Sequence, residues 1–123
     1  TDLSPARRAQ ADFSGFQVFD PEPDLVTGFN KRVPKGADIV VDATGAAPAL
    51  AQTVQLGRCL PWDHQLHSPT RFVMQGSYSQ SPAFSYDAAF DRELHLLVPR
   101  DNRRADVSAV LALMARGLLN PLP

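Results

Sequence analysis

The chain has 123 residues, of which 44% are hydrophobic and 20% are charged, and its net charge is −1. That length and composition fit one globular domain with a real hydrophobic core. The near-neutral charge gives no reason to expect nucleic acid or an anionic membrane as a partner, and no apolar run approaches the roughly 18 residues of a membrane span.

Four elements are predicted before residue 37: a helix over 4–13, a short strand over 16–19, a short and poor helix over 24–33, and a turn over 34–36. Ser4 suits the N-cap of the first helix, and Pro5 suits its first position, where the missing N–H costs nothing. The second helix is expected to be poor because Gly28 lies inside it.

From residue 38 onward, strand patterns alternate with helix patterns. Residues 39–41 are continuous β-branched residues, which suits a strand covered on both faces. Gly117 suits the C-cap of the last helix. The predicted elements are strands over 38–43, 71–75 and 93–98, helices over 47–57, 87–92 and 103–116, and a polar loop over 60–70. This order predicts an α/β fold with a doubly wound, mostly parallel sheet and helices on both faces.

The stretch GADIVVDATGAAPAL, residues 36–50, contains a turn at a predicted strand end. In doubly wound sheets, ligands bind beyond the carboxyl ends of the strands, so the Thr44-Gly45 turn lies where a site is expected. Asp42 is an acid within this apolar strand. The pattern favours a sheet-end side chain that either reaches solvent or caps a loop, and it does not favour a catalytic acid.

Four stretches resemble, in order and spacing, the nucleotide-binding domain of the medium-chain dehydrogenase/reductase superfamily, which includes the zinc-type alcohol dehydrogenases. They are TDLSPARRAQA, GADIVVDATGAAPALAQTVQL, RFVMQGSYSQSPAFSYDAAFDREL and DVSAVLALMARGLLNPL. The resemblance extends from residue 1 to about residue 122 and implies a single, partial, Rossmann-like NAD(P)-binding domain over 1–123. The segment GSYSQSPAFSYDAAF also resembles the bacteriochlorophyllide hydroxyethyl dehydrogenase branch and the threonine/sorbitol dehydrogenase-like branches.

The resemblance implies a dinucleotide cofactor, NAD, with NADP as the other possible form. Asp2 matches the acid that hydrogen-bonds the adenosine ribose and disfavours a 2′-phosphate, whereas Arg7 matches a basic position near the same ribose. Two turns match segments that pass the cofactor in the family. The turn on the adenosine side consists of Ala43, Thr44 and Gly45. The turn on the nicotinamide side consists of Gln75, Gly76 and Ser77, where glycine permits close backbone approach.

For the whole protein, the resemblance implies an oxidoreductase that transfers a hydride between an alcohol or carbonyl substrate and nicotinamide. No residue of this segment matches a catalytic group. The small-molecule substrate, and zinc if the protein uses it, would depend on a catalytic domain that these residues lack. A homodimer is a possible assembly. With a single cysteine, Cys59, and no apolar leader in TDLSPARRAQ, we expect a cytoplasmic protein.

The sequence also departs from the family pattern. It has no Gly-rich phosphate turn about 20 residues before Asp2, residues 60–70 replace a short Pro-Gly-Gly turn, and Val98-Pro99 replaces a small residue near the nicotinamide. These departures allow a piece of a longer enzyme, a piece whose first strand comes from another chain, or a non-catalytic relative with a structural or interaction role. The first is favoured because a sheet without its central first strand exposes edges that should be paired.

Other residue clusters point less clearly to chemistry. The spacing of Cys59, Asp63, His64 and His67 is not a standard zinc pattern, so no metal site is predicted. A serine hydrolase is not predicted either, because Gly76-Ser77-Tyr78-Ser79-Gln80 lacks the second glycine of a nucleophile elbow. Three arginines near a helix start could pair with neighbouring acids or face an anionic ligand, and pairing is favoured; they are Arg100, Arg103 and Arg104.

Overall fold

The computed structural model describes residues 1–13, 15–21, 24–59, 68–100 and 102–120. Their contacts group into two compact units, which are described separately: Thr1–Asp20 with Arg100–Pro123, and Pro21–Pro99. The single domain over 1–123 stays a prediction. In the described ranges, no helix is both long enough and apolar enough to cross a membrane.

Five α-helices and three β-strands lie in the described part of the chain. In chain order they are α1 (Pro5–Phe13), α2 (Leu25–Arg32), β1 (Ile39–Asp42), α3 (Ala47–Thr53), β2 (Arg71–Met74), α4 (Tyr86–Phe90), β3 (His95–Leu97) and α5 (Arg104–Ala115). A 3₁₀ turn, Val54–Leu56, follows α3 directly. The predicted helix over 47–57 therefore ends in a tighter turn, and the predicted loop over 60–70 lies mostly outside the described residues.

The unit Pro21–Pro99 is built on a parallel sheet with the strand order β1-β2-β3. The register places Val40 opposite Phe72 and Phe72 opposite Leu96. Each crossover between parallel strands contains a helix, α3 after β1 and α4 after β2. The predicted α/β fold class with a Rossmann-like parallel sheet is confirmed.

The core of this unit lies on one face of the sheet. Side chains from β1 and β2 meet those of α2, α3 and the 3₁₀ turn there, and the buried apolar members are Leu25, Val40, Leu50, Val54, Leu56, Phe72 and Met74. On the opposite face of β1, Ile39 and Val41 remain 50% and 57% exposed. Burial in β1 therefore alternates, and the expectation that this strand is covered on both faces is wrong for these two residues.

One other local expectation is wrong. Residues 16–19 form no strand in the described ranges, although their apolar pattern suits one, and the Phe19 carbonyl accepts the Thr1 hydroxyl at 2.7 Å. The short helix expected over 24–33 forms as α2, which has eight residues. Its N-cap is Asp24, whose carboxylate accepts the Val26 and Thr27 N–H groups and thereby offsets the weakening by Gly28.

The other unit contains α1 and α5. Ser4 precedes α1, and its carbonyl accepts the Arg8 N–H at 3.0 Å, as a residue at the N-cap does. At the start of α5, the Arg103 N–H donates to the Asp106 carboxylate at 2.8 Å. Gly117 follows α5 with a φ of +67°, the left-handed conformation expected of a C-cap glycine.

Candidate functional site

Two turns meet at the carboxyl ends of β1 and β2. The strands end at the same level, because the register pairs Asp42 with Met74. Beyond this pair, the Asp42 carbonyl accepts the N–H groups of Gln75 and Gly76 at 2.8 and 3.0 Å. The predicted positions 43–45 and 75–77 therefore lie side by side, and we refer to these six residues as the strand-end platform.

Two glycines let the halves of the platform touch. Gly45 has a φ of +67°, and a Cβ on it would collide with the Ser77 carbonyl. A Cβ on Gly76 would lie 2.8 Å from the Gly45 Cα and 3.2 Å from the Thr44 nitrogen. Because both obstacles are backbone, they cannot move aside as a side chain would. The platform thus requires glycine at both positions.

The surface of the platform is polar and accessible. Ala43, Thr44, Gln75 and Ser77 are exposed, and both glycines are half-buried. Among the described residues, the N–H groups of Gly45 and Ser77 have no protein acceptor. Two adjacent backbone donors with small neighbouring side chains can hydrogen-bond a hydroxyl or carbonyl oxygen of a ligand that lies across the strand ends.

Thr44 takes part in the turn itself. Its hydroxyl accepts the N–H of Ala46, the residue that precedes α3, at 3.1 Å and donates to the Asp42 carboxylate at 2.7 Å. Thr44 thus satisfies an N–H group one residue before the first turn of α3. Ala46 occupies the N-cap, and its side chain makes no capping hydrogen bond.

Asp42 is 1% exposed, so it does not reach solvent and instead anchors the turn. One carboxylate oxygen accepts the Thr44 N–H at 2.9 Å and the Thr44 hydroxyl, and the other accepts the Thr53 hydroxyl at 2.7 Å. Burial by itself would raise the pKa of Asp42, but the hydrogen bonds from Thr44 and Thr53 outweigh it and lower that pKa. The carboxylate is therefore charged at neutral pH.

Tyr78, directly after the platform, has a buried hydroxyl that makes no hydrogen bond of good geometry in the described structure. The negative charge of the Asp42 carboxylate acts on this hydroxyl. Burial of the hydroxyl, together with that negative charge, raises the pKa of Tyr78 to about 12. Sequence reasoning did not link Tyr78 to Asp42, because nothing in their separation along the chain signals that the two side chains lie close together.

The remaining two predicted cofactor-binding residues belong to the other unit. One Asp2 carboxylate oxygen accepts the Ser4 N–H at 2.8 Å, and the other lies 3.5 Å from the Arg7 guanidinium. The Ser4 hydrogen bond, followed by the positive charge of Arg7, lowers the pKa of Asp2. Asp2 and Arg7 are thus an exposed ion pair at the entry to α1.

Sequence reasoning missed Arg8 as a support for this pair. Its guanidinium donates to the carbonyls of Asp2 and Leu3 at 2.6 and 2.9 Å and to the Asp20 carboxylate at 2.7 Å. Arg8 therefore fixes the backbone from which the Asp2 side chain projects. The pattern of two adjacent arginines was visible in the sequence, but only the fold brings Asp20 to the second one.

The other residue clusters considered in the sequence form no site among the described residues. No three His, Cys, Asp or Glu side chains are placed to hold a metal ion within the described ranges. Asp63, His64 and His67 of the cluster considered above lie outside the described residues, and Cys59 is an exposed free thiol. In the arginine cluster, Asp106 caps α5 through the backbone of Arg103, and Asp101 also lies outside the described residues.

The chain is similar in sequence to one curated enzyme and similar in fold to several solved structures. No family model matches it. It is 30% identical, over 119 residues, to the 2-desacetyl-2-hydroxyethyl bacteriochlorophyllide A dehydrogenase of Rhodobacter capsulatus; the match covers 97% of the chain and 32% of that protein.

Three solved structures illustrate the shared fold. The 2R,3R-butanediol dehydrogenase of Bacillus subtilis has a TM-score of 0.76 at 23% identity, with 94% of this chain and 31% of that chain covered. The benzyl alcohol dehydrogenase of Acinetobacter calcoaceticus has a TM-score of 0.75 at 15% identity, with 95% of this chain and 32% of that chain covered. The E. coli alcohol dehydrogenase RspB, solved with NADH, has a TM-score of 0.74 at 19% identity, with 98% of this chain and 33% of that chain covered.

The chain spans about a third of the length of each of these proteins. The solved structures support the fold, and the curated relative is a bacteriochlorophyllide dehydrogenase, a member of one of the branches that the segment GSYSQSPAFSYDAAF resembles. Sequence match, parallel-sheet fold and the order of the four stretches agree with one another. These findings support the resemblance of the chain to the medium-chain dehydrogenase/reductase superfamily.

Proposed function

We propose that this chain supplies cofactor-binding surface to an NAD(P)-dependent oxidoreductase that acts on an alcohol or carbonyl substrate. The substrate and the catalytic groups would lie in parts of the protein other than this segment, which covers about a third of its relatives. When bound, the nicotinamide cofactor would accept or deliver the hydride. The chain's own residues bind and orient the dinucleotide.

The close approach of the two strand-end turns carries this proposal. Gly45 and Gly76 bring backbone against backbone at the carboxyl ends of adjacent parallel strands, where ligands of doubly wound sheets bind. The free N–H groups of Gly45 and Ser77 match the hydroxyl and carbonyl oxygens of a dinucleotide. Apart from Gln75, the platform carries only small side chains, which leaves room for a ligand to lie against its backbone.

NAD is the preferred cofactor in this proposal. The lowered pKa of Asp2 keeps its carboxylate charged, so it can accept hydrogen bonds from ribose hydroxyls and repel a 2′-phosphate. Arg7 is 76% exposed and lies beside that carboxylate. Its charge partly offsets the repulsion, which leaves NADP as the weaker ligand. The exposed free thiol of Cys59 suits a reducing compartment, so a cytoplasmic location stays our expectation.

The proposal is tested by titrating NADH calorimetrically into the gene product that carries this sequence. Gly76→Ala places a methyl group against the backbone of Gly45 and should weaken NADH binding by at least about tenfold, because it displaces the donor groups of the platform. Gly28→Ala is the matched control, since a Cβ on Gly28 meets nothing within 4 Å. This control should bind NADH as the unsubstituted protein does.

A second measurement covers the case in which Gly76→Ala does not fold. In the unsubstituted protein, NADH should shift the amide NMR signals of Gly45 and Ser77 more than those of α2. If the unsubstituted protein does not bind NADH or NADPH, the oxidoreductase proposal is wrong and a structural or interaction role becomes the better explanation.

A further inference from the structure

Asp42 joins three segments of the unit Pro21–Pro99. Its backbone carbonyl accepts N–H groups from the end of β2, one carboxylate oxygen holds Thr44 in the turn after β1, and the other holds Thr53 at the end of α3. Thr53 is itself buried, and its hydroxyl also lies 3.2 Å from the Leu50 carbonyl. One residue thus connects both halves of the platform to the helix beneath them.

Making these connections with a buried carboxylate costs free energy of folding. Removing an ionised group from water is unfavourable, and well-packed apolar residues often stabilise a core as well as or better than buried charges do. Asp42 lies on the same face as Val40, Phe72 and Met74, where an apolar side chain would fit the pattern. Stability alone therefore does not explain an acid here, whereas the exact placement of a turn does.

The direction of the hydrogen bonds indicates that Asp42 positions the backbone of the two turns. The Thr44 N–H and hydroxyl both point at one carboxylate oxygen, which fixes the backbone one residue before Gly45. On the other side, the Asp42 carbonyl fixes the backbone of Gly76, one residue before Ser77. The two donor groups of the platform that lack protein acceptors, on Gly45 and Ser77, are each adjacent to a residue that Asp42 holds.

We propose that Asp42 is a positioning residue that sets the Gly45 and Ser77 N–H groups at the spacing that the dinucleotide needs. This inference rests on the function proposed above. Asp42 does not touch the ligand. It holds the platform through its hydrogen bonds to Thr44 and to the backbone that follows β2, and the Thr53 hydroxyl at the end of α3 donates to its second carboxylate oxygen.

The test compares three variants of the gene product that carries this sequence. Asp42→Asn removes the charge and one acceptor oxygen, and Thr53→Val removes the hydroxyl that holds the other oxygen with little change of shape. Val54→Ala is the control: Val54 is 1% exposed and adjoins Thr53, so this variant opens a core cavity without touching the hydrogen bonds of Asp42. NADH affinity is measured by calorimetry at a temperature where each variant is folded.

We expect Asp42→Asn and Thr53→Val each to raise the Kd for NADH by about tenfold, whereas Val54→Ala should leave it within about twofold. Without NADH, the amide NMR signals of Gly45 and Ser77 should move in the first two variants and stay in place in the control. Thr53→Val keeps the test informative if Asp42→Asn does not fold.

Equal Kd values in Thr53→Val and the unsubstituted protein, with unmoved Gly45 and Ser77 signals, would overturn the inference. An equal loss of affinity in Val54→Ala would overturn it too, because general destabilisation would then be sufficient. If the unsubstituted protein fails to bind NADH, the proposed function fails. The amide signals then still decide whether Asp42 positions these two groups.

Discussion

Asp2 and Arg8 show how a predicted site residue depends on a neighbour whose role cannot be inferred from the sequence. The family resemblance predicts a role for Asp2 from its order along the chain alone. Arg8 holds the carbonyl of Asp2 and the carboxylate of Asp20, which is 18 residues from Asp2 in the chain. No periodic pattern encodes such a contact, because it depends on how the chain returns after α1.

At this scale the first prediction concerns cofactor choice. Asp2→Ser removes the carboxylate but leaves a hydroxyl, and Arg8 still holds the backbone. NADH binding should weaken by at least about tenfold, because charge-assisted hydrogen bonds to the ribose are lost. NADPH binding should weaken less, since the repulsion of its 2′-phosphate disappears. Parallel calorimetric titrations with the two cofactors measure the difference.

An equal loss for NADH and NADPH would remove Asp2 from the ribose site. Arg7→Gln makes the opposite change, because it removes the positive charge that pairs with Asp2. If Asp2 and Arg7 act on the same ribose, this variant should shift the preference towards NADH, because the charge that favours the 2′-phosphate is gone. No change in either titration would separate Arg7 from that site.

Among the elements, α2 shows what the sequence pattern left out. Gly28 suggested a short, poor helix over 24–33, and the helix forms over Leu25–Arg32 despite this glycine. Three features outweigh the glycine: Asp24 caps the amino end, Leu25 is buried in the core, and Lys31 and Arg32 lie in the last turn, where the helix dipole favours positive charge. Intrinsic propensity is a weak guide when capping and packing agree with each other.

The second prediction follows from this helix. Gly28→Ala should raise the free energy of unfolding by about 0.5–1 kcal/mol, because alanine loses less backbone entropy on folding than glycine does. The space around Gly28 is open and its φ is not positive, so the methyl group meets no obstacle. Urea denaturation of both proteins measures the change. A lower stability would mean that the glycine serves a purpose that this structure does not display.

For the strands, periodicity and topology were sufficient to predict the strand ends, and the family resemblance named the residues of the platform there. All three strands of the described sheet lie within predicted ones, and parallel pairing brings their carboxyl ends to one edge. The adjacency of residues 43–45 and 75–77 follows from that geometry. The roles of Asp42 and Tyr78 do not, since burial of a polar group depends on three-dimensional neighbours. The strand predicted at 16–19 does not form in the described ranges, because an apolar pattern alone does not set the backbone pairing of a strand.

At the scale of the whole molecule, two sets of acidic groups limit the pH range of stability: aspartates whose pKa values are lowered by folding, and a tyrosine whose pKa is raised. The pKa values of Asp2, Asp24 and Asp42 are lowered in the folded state, chiefly by backbone hydrogen bonds at Asp2 and Asp24 and by hydrogen bonds that overcome burial at Asp42. Their stabilising contributions are present above the unfolded pKa of about 4 and are lost as the pH falls through the lower folded values. Acid should therefore unfold the chain, and Asp42→Asn should show a shallower decline below about pH 4.

At alkaline pH the controlling group is Tyr78, whose folded pKa is raised to about 12. A raised pKa means that its contribution is intact below the unfolded pKa of about 10 and is lost as the pH rises through the folded value. The free energy of unfolding should therefore fall between about pH 10 and 12. Urea denaturation at successive pH values measures this decline.

Tyr78→Phe isolates the effect from that of other titrating groups. At neutral pH this variant should be at least as stable as the unsubstituted protein, because it removes a buried hydroxyl that lacks a well-formed hydrogen bond. At high pH it should lose less stability, since no tyrosinate can form beside the Asp42 carboxylate. Parallel decline of the two proteins between about pH 10 and 12 would show that Tyr78 does not feel the charge of Asp42.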